Sequence, residues 1–121
     1  MKINTKATSI VMTGEISDYL YKKLEGLSKF LDVNDESIKI DVELGRTTKH
    51  HEKGDIFRAE INIFTKQKTF RAEVEAGDLL SAVDILKDRI FEELRSDKSK
   101  TMRLLRKGGQ QIKNLLRFGR K

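Results

Sequence analysis

The chain has 121 residues, with 25 Lys or Arg against 19 Asp or Glu, a formal net charge of +6, 37% hydrophobic and 36% charged residues, and no cysteine. That length holds one small core and an appendage, the patterned apolar stretches argue against general disorder, and the lack of cysteine rules out disulfides, thiolate nucleophiles and thiolate metal sites. The polar amino end is no signal peptide, and nowhere do about eighteen apolar residues follow one another as in a membrane span, so the expectation is a soluble, cytoplasmic protein.

Lys2 to Ile10 is short and rich in β-branched residues, and it leads to Thr13, a residue suited to capping a helix. A first strand feeding a helix is predicted. From Ile16 onward, Leu20, Leu24, Leu27 and Leu31 recur at three- and four-residue spacing, with Tyr19 and Phe30 beside them. This is one buried face of a helix running from about Gly14 to Leu31, stopped by the turn-rich segment from Asp32 to Glu36.

The spacing then changes to two. Ile38, Ile40, Val42 and Leu44 alternate with Lys39, Asp41 and Glu43; Phe57, Ala59, Ile61 and Ile63 alternate with Arg58, Glu60 and Asn62; Phe70, Ala72, Val74 and Ala76 alternate with Arg71, Glu73 and Glu75. Three strands follow, each apolar on one face, with antiparallel pairing as the default for short connections. Thr65 to Lys68 suits a hairpin, and Gly45 to Gly54 reads as a longer charged loop. Asp78 can cap a second helix that carries Leu79, Ala82, Val83, Leu86, Ile90 and Leu94 on one stripe.

The order is therefore β-α-β-β-β-α, an α+β domain with a four-stranded sheet and two helices packed on one face, resembling double-stranded-RNA-binding domains in its succession of elements. The other sheet face carries charges of both signs and makes a poor phosphate platform.

Residues 98–121 contain nine Lys or Arg and no Asp or Glu, whereas residues 1–97 hold sixteen basic against nineteen acidic residues, a local charge of −3. The reading is an α/β domain over 1–97 and a basic helix extension and tail over 98–121. Nine like charges repel one another unless a polyanion neutralises them, which points to RNA or to an anionic membrane. Met102, Leu104 and Leu105 form one apolar cluster, and Ile112, Leu115, Leu116 and Phe118 a second, with Gly108 and Gly109 between them. Each glycine costs a helix about 1 kcal/mol, so a break is predicted there, with Gln110 to Lys121 ordering only on a partner.

The candidate RNA-phosphate ligands are Lys22, Lys23 and Lys29 on the first helix and Lys87 and Arg89 on the second. Arg46 and Lys49 join them from the long loop, and Lys98, Lys100, Arg103, Arg106, Lys107, Lys113, Arg117 and Arg120 from the tail. His50 and His51, adjacent in that loop beside Lys53, lack metal-ligand spacing and an obvious third ligand, so no metal is assigned. Tyr19, Tyr21, Phe57 and Phe70 are assigned to core packing rather than to base stacking. Glu92 and Glu93 point to different sides of a helix and make no acid-base pair, and no catalytic residue or Gly-rich phosphate loop is found.

The run Gly77, Asp78, Leu79, Leu80, Ser81, Ala82, Val83, Asp84, opening a helix that ends in Lys98 and Lys100, together with the order of elements, resembles the ribosome hibernation promoting factor and ribosome-associated inhibitor family over roughly residues 1–107. The chain has Leu80 where that family usually has Tyr, and Phe91, Glu92 and Glu93 where it usually has a basic residue and Gln. The resemblance implies a non-enzymatic protein that occupies the messenger- and transfer-RNA channel of the small ribosomal subunit, contacts its ribosomal RNA and prevents initiation in resting or stressed bacteria. It implies no cofactor and no small-molecule substrate. The long form's separate dimerisation domain is missing, so a short form, monomeric off the ribosome, is expected. Two rivals are a free double-stranded-RNA-binding module and a peripheral membrane protein anchored by Leu115, Leu116 and Phe118 among basic residues.

Overall fold

Strict alternation of apolar and charged residues forces one sheet face inward, and the computed structural model shows that sheet. It describes residues 1–47, 54 and 56–119, with side chains through residue 100 and backbone alone from 101 to 119. The strands are β1 (Lys2–Thr8), β2 (Lys39–Thr47), β3 (Ile56–Phe64) and β4 (Thr69–Ala76), and they lie in the order β1-β2-β3-β4. β2, β3 and β4 pair antiparallel, as their connections require. The hairpin from Thr65 to Lys68 is closed by the Thr65 amide on the Lys68 carbonyl at 3.0 Å. β1 pairs parallel with β2, because a helix carries the chain back across the sheet between them.

That helix, α1 (Gly14–Leu24), is capped as expected. The Thr13 hydroxyl accepts the Ile16 amide at 3.2 Å, with Thr13 in an extended conformation. It ends earlier than the leucine spacing predicts: Glu25–Lys29 is a 3₁₀ turn, although Leu27 stays fully buried. Gly26 lies in this turn. A Cβ there would lie 2.6 Å from Cε2 of Phe91, so the chain passes against that ring where no side chain fits. Phe30 completes the contact, its ring 5.6 Å from Phe91 in an edge-on arrangement. Gly26→Ala gains at most about 1 kcal/mol of helix propensity but overpacks the Phe91 ring at about 1–3 kcal/mol, so a lowered Tm is expected in a thermal melt.

The second helix, α2 (Leu79–Gly119), opens on Asp78, whose carboxylate accepts the Ser81 amide at 3.0 Å and the Ser81 hydroxyl at 2.8 Å. Ala82, Val83, Leu86, Ile90 and Leu94 are buried against the sheet with Leu20, Leu24 and Leu27 of the α1 side and Ile40, Val42, Leu44, Ala59, Ile61 and Ile63 of the strands. Both helices thus cover one face. Among the described residues no helix is long and apolar enough to cross a membrane.

Three expectations need correcting. Gly45 and Arg46 belong to β2 rather than to the long loop. Gly45 is buried opposite Thr8, and an added Cβ would stand 2.9 Å from the Thr8 carbonyl oxygen. Tyr21 is 40% exposed and is no core residue, since it lies off the leucine stripe of α1. Finally, α2 runs through Gly108 and Gly109 without a break. About 1 kcal/mol per glycine is a penalty that neighbouring Leu, Arg, Lys and Gln residues, all good helix formers, can outweigh. The change of charge at residue 98 accordingly falls inside one helix.

Candidate nucleic-acid interface

The two faces of the sheet differ in electrostatics as much as in polarity. On the open face Arg58 meets Glu73 at 3.0 Å and Glu60 at 3.5 Å, while Arg71 contacts Glu60 and lies 2.8 Å from Glu73. These bonds hold both guanidinium groups firmly protonated, Arg58 chiefly through Glu73 and Arg71 chiefly through Glu60. The Thr8 hydroxyl donates to Glu43 at 2.7 Å and the Asn4 amide to Asp41 at 3.3 Å. Both arginines thus have carboxylate partners and offer a phosphate little, while Lys2, Lys6 and Lys39 are exposed on the same face.

The helix side is different. Where α1 and the 3₁₀ turn run beside α2, Tyr19, Lys22, Lys23, Lys29, Lys87 and Phe91 line a groove of about 430 Å³, with Glu25 and Gly26 on its wall. Helical spacing places Lys22 and Lys23 at the end of α1, and the 3₁₀ turn brings Lys29 to the same side. Lys87 stands over Phe91, its ammonium 5.1 Å from the ring centroid, and also reaches Asp88 at 3.3 Å. Lys22 and Lys29 have no acidic partner among the described residues.

Beside this groove, Asp84 of α2 joins the two helices through Tyr19 and Lys23 of its lining. Its Oδ1 accepts the Tyr19 hydroxyl at 2.6 Å and lies 3.2 Å from the Lys23 ammonium, which itself stands 5.2 Å from the Tyr19 ring centroid. The Tyr19 bond, followed by Lys23, holds the Asp84 carboxyl below the usual range, and Asp84 in turn raises both Tyr19 and Lys23. Tyr19 is therefore a strut between helices rather than a stacking platform.

Four of the candidate ligands, Lys22, Lys23, Lys29 and Lys87, come together in this groove. Arg89 does not join them. It lies on the other side of α2, where its guanidinium donates to the Glu73 carbonyl of β4 at 2.8 Å. There it faces a second cleft lined by Arg71, Glu92, Glu93 and Ser96. Arg46 stands at the far end of β2, 5.7 Å from the Phe57 ring centroid. Lys98 and Lys100 are exposed along α2. Arg103, Arg106, Lys107, Lys113 and Arg117 fall on the helical backbone but outside the described side chains, and Lys49, His50, His51, Lys53 and Arg120 lie outside the described residues. The spacing of apolar residues missed Phe91, which is buried, and Asp84 as a clamp. Gly26, an unexpected glycine in a leucine-striped helix, was the one available sign of the first.

Comparison with known proteins agrees with this architecture. A curated relative, "Ribosome hibernation promotion factor" of Picosynechococcus sp., is 28% identical over 100 residues, covering 83% of this chain and 50% of its own length. The chain thus spans about half the length of that relative. Among solved structures, "Crystal structure of Thermus thermophilus Protein Y N-terminal domain" is 28% identical with a TM-score of 0.63, covering 79% of this chain and 98% of the other. "Structure of an ribosomal subunit interface protein from Coxiella burnetii" has a TM-score of 0.64 at 18% identity, covering 82% of this chain and 99% of the other, a likeness of fold alone. Residues 3–102, the sheet but for Lys2 together with α1 and the sheet-covering part of α2, match the model of one family, and the chain belongs to it: the family described as Sigma 54 modulation protein / S30EA ribosomal protein.

Proposed function

We propose that the protein is a ribosome-binding inhibitor of translation, a hibernation factor that needs no reaction to act. The observation that carries this reading is the groove of four lysines on the helix side of a domain from this family, set against an open sheet face whose arginines are already neutralised. An inhibitor of this kind needs a rigid globule of suitable shape and enough phosphate contacts to compete with transfer RNA; it needs no catalytic group. The small subunit, in the channel for messenger and transfer RNA, is the proposed site.

Lys22, Lys23, Lys29 and Lys87 meet phosphates first in this reading, and the acid-free run from Lys98 onward follows the RNA backbone beyond the domain. Arg46, at one end of the sheet, and Arg89, from the flank of α2, are peripheral contacts in this reading, and Lys49 is carried with them from the sequence alone. The body acts as one piece because the buried cluster joins both helices to the sheet.

Co-sedimentation with purified small subunits, large subunits and bare RNA over a salt series tests the proposal. Binding to small subunits is expected to exceed that to RNA duplexes of equal charge, to weaken as salt rises, and to weaken further when residues 98–121 are removed. Equal binding to every duplex would make the protein a free double-stranded-RNA module; binding that neither salt nor the deletion affects would end the role of the basic run.

A further inference from the structure

We infer that Asp84 is the specificity-determining residue of the lysine groove: it holds the Lys23 ammonium at the seam between α1 and α2, so that the groove does not act as a generic phosphate trap. The inference rests on the RNA-binding reading and names how the same site is restrained.

Two carboxylates stand at the lysine groove, Glu25 on its wall and Asp84 bound to Lys23; each repels a phosphate, and Asp84 also consumes a cation. The Asp84 carboxylate is fixed in position. Oδ1 of Asp84 takes the Tyr19 hydroxyl at 2.6 Å and the Lys23 ammonium at 3.2 Å, so one oxygen bridges two residues of α1 from a position on α2. The ammonium is also held over the Tyr19 ring at 5.2 Å. Lys23 is thus the groove lysine with a partner across the interhelix seam, whereas Lys87 pairs with its own neighbour Asp88. The buried cluster and the Tyr19 bond already join the helices. Pairing Lys23 as well removes one positive charge from the groove until a ligand displaces the carboxylate.

The arrangement favours a ligand that fits the whole groove over one that supplies only phosphate charge. Side-chain exposures of 35% for Lys23 and 44% for Asp84 keep the pair within reach of solvent, so exchange is cheap enough to be reversible. A diffuse contact with a duplex that takes Lys23 from Asp84 gives up about as much as it gains, so its net benefit from Lys23 is small. A shaped ligand that also engages Lys22, Lys29 and Lys87 gains enough from them to offset that loss. Asp84 thereby acts through Lys23 and is a positioning residue.

Asp84→Asn tests this, since the amide oxygen can still accept the Tyr19 hydroxyl while the charge is lost. The probes are a short RNA duplex of mixed sequence and purified small subunits, each titrated over a salt series. The variant is expected to bind the duplex about two- to fivefold more tightly, the range of an exposed ion pair. Its plot of log affinity against log salt should steepen by about 0.7 to 0.9, one added phosphate contact, and its preference for subunits over duplex should fall. Adding Lys23→Gln to Asp84→Asn should abolish the steepening.

A residue that merely braces the fold would weaken both ligands in parallel, and that result would overturn the inference. So would an unchanged duplex slope, or a steepening that persists without Lys23. A wild-type protein that shows no salt-dependent binding to either probe would overturn the RNA reading together with this inference, whereas an unaffected Asp84→Asn in a wild type that binds overturns this one alone.

Discussion

Ile61→Ala is expected to remove about 2–5 kcal/mol of stability, measured as a shift in the urea midpoint at unchanged slope. Ile61 has no exposed surface and sits on β3, an interior strand, opposite Val42 of β2 and Ala72 of β4. Truncation loses the transfer energy of the removed carbons and leaves a cavity that cannot collapse, because both neighbouring strands are fixed by their ladders. A domain of this size has about 5–15 kcal/mol in total, so one such change removes a substantial share of it. Val11, 79% exposed in the loop before α1, is the control: its truncation should stay within about 0.5 kcal/mol.

Replacing Lys22, Lys29 and Lys87 together with Gln should weaken binding to small subunits about 10- to 100-fold at low salt and lower the slope of log affinity against log salt by about 2 to 3. The three lie in one groove, and two of them have no acidic partner among the described residues. Each is expected to release about one condensed counterion when it meets a phosphate, so the loss of slope counts contacts and the loss of affinity measures them. Lys39→Gln on the open sheet face removes a single charge elsewhere and should leave the slope nearly where it was. If Lys39→Gln lowers the slope as much as the groove change does per lysine, the protein binds by overall charge and the groove has no special part. Since the groove lysines lie outside the buried cluster, the melting temperature should hardly move.

Most of the architecture can be read from periodicity. Alternation of two marks β3 and β4 within one residue and finds β2 up to Leu44, three residues short of its end, because each strand is wet on one face and dry on the other. The caps at Thr13 and Asp78 are equally legible, since a side-chain oxygen three residues ahead of an amide is a local matter. Features that depend on distant residues escape such reading. The need for glycine at position 26 is set by Phe91, more than sixty residues away in sequence, whose ring leaves no room for a Cβ. Gly45 looks like a loop glycine until β1 is laid beside it, where the Thr8 carbonyl leaves no room for a Cβ. The continuity of α2 across Gly108 and Gly109 shows that propensity is a weak guide when the flanking residues favour helix.

The candidate site divides in the same way. Charge counting finds the lysines but cannot say which of them converge. Lys87 and Arg89 are two residues apart on α2, and that spacing turns them to different sides, one to the groove and the other to the edge of β4. Asp84 looks in sequence like one more solvated acid. Its part emerges only when Tyr19, sixty-five residues earlier, is seen to donate to it.

The uninterrupted α2 also has a kinetic consequence. Forty-one residues of helix measure about 60 Å, and the stretch without acids occupies its far end, remote from the slightly acidic body. Such a separation of charge gives the molecule an electric moment along its longest axis, and a negatively charged surface exerts a torque on it before any atoms touch. The molecule should arrive turned, its cationic end leading, and added electrolyte should slow its capture before it shortens its stay.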